Sequence, residues 1–158
     1  MKTSKLGLVV AALFCASFAF GGTGTVSATS SKINSPVGIT TIEWTSAQSN
    51  NWAHGSTAIA VRGEIVRIVV VPGTAIAGGT TAPTGTYNVA LTDARGFDVM
   101  ALQGTTLSAT VATSFKPALA YCGPSYTNIA PWNVNEPLFL SVTNCGTNAG
   151  GSVLVYVR

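Results

Sequence analysis

The 158-residue chain has few residues of the types that carry out chemistry in proteins. Charged residues make up only 8% of it, five of them acidic, and it has one histidine and three cysteines. This shortage excludes an acid-dense calcium loop and a four-ligand Cys/His zinc motif, and no nucleophile elbow is present. A triad of distant residues stays open, since its members can lie far apart in sequence. We therefore expect no enzyme, no cofactor and no metal.

A basic cluster is also missing. The formal charge is +3, but Lys2 and Lys5 lie at the extreme N-terminus, and without them six cationic residues face five acids. No run of basic residues is available to neutralise a series of phosphates. The sequence predicts that nucleic acid is not a partner.

No apolar run is long enough to cross a bilayer. The longest, Leu6 to Phe20, falls short of the ~20 residues that a membrane helix needs. It follows Lys2 and Lys5 and precedes a glycine-rich stretch, which is the order of a secretory signal. We predict a signal helix and a signal peptide over 1–28 with cleavage after Ala28, cleavage after Ala19 being the second choice. The product is expected to be secreted, extracellular, periplasmic or at the cell surface, with no stable membrane span.

Two other interpretations of the N-terminus are weaker. Cys15 is a poor lipidation site because Phe14 precedes it, where a lipobox has a small residue. A pilin-type leader cut after Gly7 would keep the apolar segment as an assembly helix, but the usual early acidic residue is missing.

The two cysteines outside the predicted signal are Cys122 and Cys145. An even pair in an exported chain is most simply a disulfide, which contributes about 3 kcal/mol in the chain-entropy model. A metal site is the alternative, but it needs three or four ligands and His54 is far away in sequence.

What the chain does have is the pattern of an all-β protein. Short runs rich in β-branched residues alternate with turns, and no helix is predicted beyond the signal. We predict one domain over 37–158, an antiparallel β-sandwich or squat barrel of about seven to eight strands, after a flexible leader over 29–36. The strand candidates are Val37–Thr45, Thr57–Val61, Glu64–Val71, Tyr87–Thr92, Phe97–Leu102, Thr105–Thr113, Leu138–Thr143 and Ser152–Arg158. The last two are expected to form a closing hairpin.

The stretch PTGTYNVALTDARGFDVM holds two of the few carboxylates, Asp93 and Asp98. Asp93 and Gly96 fit the first and fourth positions of a hairpin turn, where Asp accepts backbone hydrogen bonds and Gly takes a positive φ. A calcium site or a pair of catalytic acids is the alternative. Turn chemistry alone explains each residue type.

Aromatic residues in or beside predicted loops are possible sugar-binding groups. Trp52, Tyr126 and Trp132 have rings able to stack on a sugar, whereas Trp44 lies in a predicted strand and is expected in the core. His54, in the same polar loop as Trp52, is interpreted as a solvated loop histidine.

Three segments, VVVPG, APTGTYNVALTDARGFDVMA and GGSVLVYVR, resemble small β-sandwich proteins encoded among the structural genes of tailed bacteriophages. The resemblance covers Ile65–Leu102 and Gly150–Arg158, and it implies a virion-associated structural or attachment role without catalytic residues. The predicted signal and cysteine pair favour an exported relative, such as a surface or filament subunit. We therefore expect a non-enzymatic structural or adhesion module whose partner is itself or another surface or virion protein. A module that binds polysaccharide is the alternative.

Overall fold

The computed structural model describes residues 24–32, 37–47, 51–54, 58–73, 81–117 and 132–158, and these contain strands, turns and irregular segments but no helix. The strands are β1 (Thr25–Lys32), β2 (Gly38–Thr45), β3 (Trp52–His54), β4 (Gly63–Pro72), β5 (Asn88–Thr92), β6 (Thr113–Phe115), β7 (Trp132–Val134), β8 (Phe139–Thr143) and β9 (Gly150–Val157). Every pairing between them is antiparallel. The prediction of an antiparallel all-β protein is confirmed.

The strands form two sheets. The larger has six strands in the order β1-β2-β9-β4, with β6 and β7 both pairing with the far side of β4. The smaller has the order β3-β8-β5. Strand β9, late in the chain, is therefore central in the larger sheet, between two strands that precede it.

The strands form because apolar residues alternate with polar ones in most of them. In β2 the side chains of Ile42 and Trp44 are buried while their neighbours are half-buried, and β8 repeats the alternation with Leu140 and Val142. Alternation points one face of each strand inward. The inward faces of both sheets belong to a single hydrophobic cluster, so the sheets share one core.

Trp44 shapes the middle of the larger sheet. Its ring is 1% exposed and lies 5.9 Å from the ring of Tyr87, at an angle of 39°. A Cβ atom at Gly151 would lie 2.8 Å from Cζ2 of Trp44 and 2.7 Å from the Val71 carbonyl oxygen. Glycine at this position lets the indole ring pack directly on the strand backbone.

Five of the predicted strands are confirmed to within about two residues. They are β2, β4, β5, β8 and β9. The closing hairpin is wrong, however, because β8 lies in the smaller sheet and β9 in the larger. The chain changes sheets at Asn144–Ala149, where Asn144, Gly146 and Asn148 all have positive φ.

Three other strand predictions are wrong. In the described part of Thr57–Val61 only an isolated bridge from Ile59 to Leu138 forms. Phe97–Leu102 and most of Thr105–Thr113 are turns and bends, with single bridges at Asp98 and Leu107. Their alternation of residue types matches strand propensity, but local side-chain to backbone hydrogen bonds replace the ladder.

The flexible leader is also wrong where the structure describes it, since Thr29–Lys32 belongs to β1. The predicted cleavage after Ala28 falls in the middle of this strand, and residues 1–23 and 33–36 lie outside the described part. Small polar residues are typical both of a signal cleavage region and of an exposed edge strand. For that reason the sequence pattern did not reveal β1.

Candidate functional site

Asp93 and Gly96 form a backbone turn at the end of β5. The Oδ1 atom of Asp93 accepts hydrogen bonds from the backbone N–H groups of Arg95 and Phe97, both at 2.9 Å. The N–H of Gly96 donates to the Asp93 carbonyl at 3.0 Å, and Gly96 has φ 85°. Few residues other than glycine adopt that backbone conformation without strain.

Asp98 organises the next turn in the same way. Its Oδ1 accepts from the N–H groups of Leu91 at 3.3 Å and Met100 at 3.0 Å, and its Oδ2 accepts from Leu102 at 2.9 Å. Ala101 and Leu102 have positive φ values of 47° and 63°. The carboxylate thus bends the chain away from the predicted strand, and backbone amides occupy both its oxygens.

The two carboxylates of this stretch therefore hold the backbone. Asp93 and Asp98 direct their oxygens to amides of their own loop. Among the described residues, no group of three or more His, Cys, Asp or Glu side chains is placed to hold a metal ion. The arrangement explains why these acids are present in a chain that has so few.

Two ion pairs fasten the surface. Arg158 Nε lies 2.7 Å from Glu64 Oε2, and Arg158 Nη2 lies 3.0 Å from Glu64 Oε1. This is a bidentate ion pair between the ends of β9 and β4. The hydrogen bond from Arg158 holds the pKa of the Glu64 carboxyl below its usual value of 4.5. Arg95 Nη2 lies 3.1 Å from Glu136 Oε1. Both pairs link strand ends or turns, which is a structural use of charge.

Cys145 lies in the segment where the chain changes sheets. Its thiol is fully buried and donates to the backbone carbonyl of Asn51 at 3.1 Å, and burial raises the pKa of this thiol. It is a free thiol in the structure. Cys122 lies outside the described residues, so the predicted disulfide stays a prediction.

Buried polar groups near Cys145 bond mainly to backbone. Ser46 Oγ donates to the Gly146 carbonyl at 2.6 Å and accepts from the Ala149 N–H at 2.9 Å. Burial raises the pKa of Tyr87 to about 12, so its phenol stays protonated. Because Ser46 bonds to backbone groups and Tyr87 holds its proton, the described contacts give no nucleophile paired with a base.

The predicted sugar-binding aromatics are not brought together on one sheet. Trp52 is 39% exposed and lies on β3, in the same row as Thr143 of β8 and Asn88 of β5. Trp132 lies on β7 in the larger sheet, and Tyr126 lies outside the described residues. His54, expected in a loop, belongs to strand β3 and pairs with Ser141.

A shallow groove of about 270 Å³ lies where β1 and β2 approach the segment before β4. It is lined by Ser30, Ser31, Gly38, Ile39, Thr40, Ala60, Arg62 and Val157. Ser30 and Thr40 share a hydrogen bond between their hydroxyls at 3.0 Å. The groove offers hydroxyls and one guanidinium, which suit binding more than proton transfer.

The most unusual surface is the outer side of β1. All eight residues of β1 pair with β2, from Thr25 opposite Thr45 to Lys32 opposite Gly38, without a bulge. In the described part of the chain, no strand pairs with its other side. Except for Val26, the residues from Thr25 to Ser31 are exposed. An edge of this kind presents a row of backbone donors and acceptors to solvent.

Comparison with family models, with curated proteins and with solved structures found no match. The residues that the structure describes include no helix of the length and hydropathy that crossing a membrane requires.

Proposed function

We propose that the chain is a non-enzymatic exported β-sandwich that serves as a structural or adhesion module, in a virion or at a cell surface. Its function is to associate through backbone pairing at the open edge of β1. The single observation that supports this most is the eight-residue bulge-free strand with one side unpaired among the described residues. Strand addition needs backbone hydrogen bonds and no special chemistry.

The other described edges are less suited to such pairing. β3, β6 and β7 have three residues each. The outer side of β5 is already covered, since the N–H of Val89 donates to the Gly104 carbonyl and that of Val99 to the Leu91 carbonyl, both at 2.8 Å. β1 alone combines length with an unpaired side in the part of the chain that is described.

β1 also lacks the usual protections of an edge strand. Natural edges carry proline, charged side chains such as lysine, or bulges that prevent pairing with other chains. The sequence TVSATSSK has none of these before its final lysine, Lys32. An edge left open in this way favours pairing as part of the function.

The experiment is to measure the mass of the mature protein by sedimentation over a wide concentration range, with electron microscopy of any large species. We expect the wild type to associate as its concentration rises. Ser27→Lys, on the exposed edge, should weaken association, while Ala112→Lys, equally charged and exposed away from β1, should not. A wild type that stays monomeric throughout contradicts the proposal.

The proposal also determines which signal cleavage is functional. Cleavage after Ala28 would remove half of β1, whereas cleavage after Ala19 would keep all of it. We therefore propose that Ala19 is the residue before the cut. N-terminal sequencing of the exported protein tests this, and a mature N-terminus at Thr29 would contradict it.

A second candidate function is binding of polysaccharide, favoured by the 39% exposure of Trp52, which lies opposite Thr143 in a row that continues to Asn88 on the outer face of the smaller sheet. A partly exposed indole next to a hydroxyl group suits the apolar face and hydroxyls of a sugar. Affinity electrophoresis in gels that contain soluble polysaccharides tests this binding, and co-sedimentation tests insoluble ones. Retardation should be lost in Trp52→Ala and kept in Phe97→Ala, which removes an aromatic ring that is 53% exposed.

A further inference from the structure

We propose that the partner of β1 is the β1 strand of a second copy, paired antiparallel about a two-fold axis at Ala28. This inference rests on the proposed function and names its partner. The resulting dimer would join two larger sheets into one continuous sheet.

Self-pairing is favoured by the charge distribution of the strand. Lys32 is the only charged residue of β1 and lies at its end. In an antiparallel pair the two ends are far apart, so the two lysines do not face each other. The remaining residues are small and either hydroxyl-bearing or aliphatic, and they are compatible with copies of themselves. A two-fold contact of this kind is closed, which limits it to a dimer.

The face alternation of β1 restricts the register. Val26 packs against the core, so the even-numbered residues of β1 lie on the core side of the sheet. Residues directly opposite each other in a sheet point to the same face. The two cores therefore lie on the same side of the joined sheet only when even-numbered residues face even-numbered ones. This condition excludes every register that pairs Ala28 with Thr29 or with Ser27.

Among the allowed registers, the one centred on Ala28 fits the side chains best. It pairs Val26 with Ser30 on the core side, and Thr25 with Ser31 and Ser27 with Thr29 on the outer side. A register centred on Thr29 would put Lys32 opposite Val26, which packs against the core. A register centred on Ser27 would leave Ser30 and Ser31 without partners. Only the register centred on Ala28 gives each residue from Thr25 to Ser31 a partner within that same range. It leaves Lys32 out of the paired segment.

The contact is small, so the dimer is expected to be weak and dependent on concentration. A single strand pair buries less surface than the ~1,600 Å² of a standard stable interface. This size suits a module held at high local concentration on a surface or in a particle, where association need not be tight.

Disulfide trapping tests the register in the mature exported protein. Directly opposite residues in an antiparallel pair have Cα atoms about 4.5 to 5.5 Å apart, which is within reach of a disulfide. We expect Ala28→Cys to form a covalent dimer under mild oxidation, several-fold more than Ala112→Cys. The double variant Ser27→Cys/Thr29→Cys should also be trapped, and Ser27→Cys alone should resemble the Ala112→Cys background.

The outcomes separate this inference from the proposed function. If the wild type associates but Ala28→Cys is trapped no more than Ala112→Cys, the self-paired register is overturned while edge association stands. If the single variant Ser27→Cys is trapped to the same extent as Ala28→Cys, the register is also overturned. If the wild type does not associate and Ala28→Cys is trapped no more than Ala112→Cys, both are overturned. Specific trapping of Ala28→Cys as a dimer supports both.

Discussion

β2 is flanked by two strands of equal length and opposite character. On one side lies β9, which pairs with Gly38–Thr45 and also with β4, and on the other lies β1, which pairs with the same residues and with no other described strand. The backbone contribution to the two pairings is alike. The two strands differ in their side chains and in whether a further described strand pairs with their other side.

β9 has the sequence GGSVLVYV and is mostly buried, whereas β1 has TVSATSSK and is mostly exposed. Burial of apolar surface contributes about 25 cal/mol per Å², so the β9 side carries most of the stability of the sheet. β1 contributes little apolar burial and leaves the backbone groups of its outer side unpaired by the described strands. β9 thus contributes to the core, whereas the outer side of β1 is left unpaired by the described strands.

The largest effect is expected at Gly151 in β9. Gly151→Ala would place a Cβ atom against the Val71 carbonyl and the buried Trp44 ring, and we expect a loss of roughly 3 kcal/mol in unfolding free energy. Chemical denaturation measures it. Gly38→Ala in β2 is the matched control, since its Cβ would lie 3.5 Å from Val157 Cγ2, an ordinary contact. Equal losses in the two variants would contradict this account of β9.

A smaller effect separates the two strands directly. Val153 is fully buried between Ile42 and Val70, and Val153→Ala should cost about 2 kcal/mol of unfolding free energy through lost burial and the cavity left behind. Val26 is only partly buried, so Val26→Ala should cost less than about 1 kcal/mol. The same denaturation experiment compares them, and a larger loss at Val26 would reverse the comparison.

The smallest effect concerns the ion pair at the end of β9. Because Arg158 lowers the pKa of Glu64 in the folded state, the pair stabilises the fold above the unfolded value of 4.5 and loses its contribution as the pH falls through the folded pKa. The difference in unfolding free energy between wild type and Glu64→Gln should therefore shrink as the pH falls below 4.5. It should also shrink in high salt. A difference that does not change with pH would exclude the pair as its cause.

The sequence was sufficient to predict the strands that have an apolar face. β2, β4 and β9 were recognised because β-branched and aromatic residues mark them over their whole length. The strand predicted after Gly96 failed for a local reason, because Asp98 accepts three backbone N–H groups and bends the chain. Propensity alone does not distinguish a strand from a turn held by one carboxylate.

Sheet membership and the candidate site were harder to predict. The sequence of β8 and β9 is typical of a hairpin, yet the turn between them takes the chain from one sheet to the other. Which sheet each strand joins depends on packing in the core that the two sheets share. β1 was not predicted because an exposed edge strand of small polar residues lacks the alternating apolar pattern by which strands are recognised. The surface that we propose as functional is therefore the one that sequence periodicity describes least.

The central place of β9 has a consequence for biosynthesis. β2 and β4 leave the ribosome long before β9, the neighbour that they share in the sheet. The larger sheet can therefore be completed only once β9 is available. This delay is compatible with the export that we propose, because a secretion channel threads extended chains.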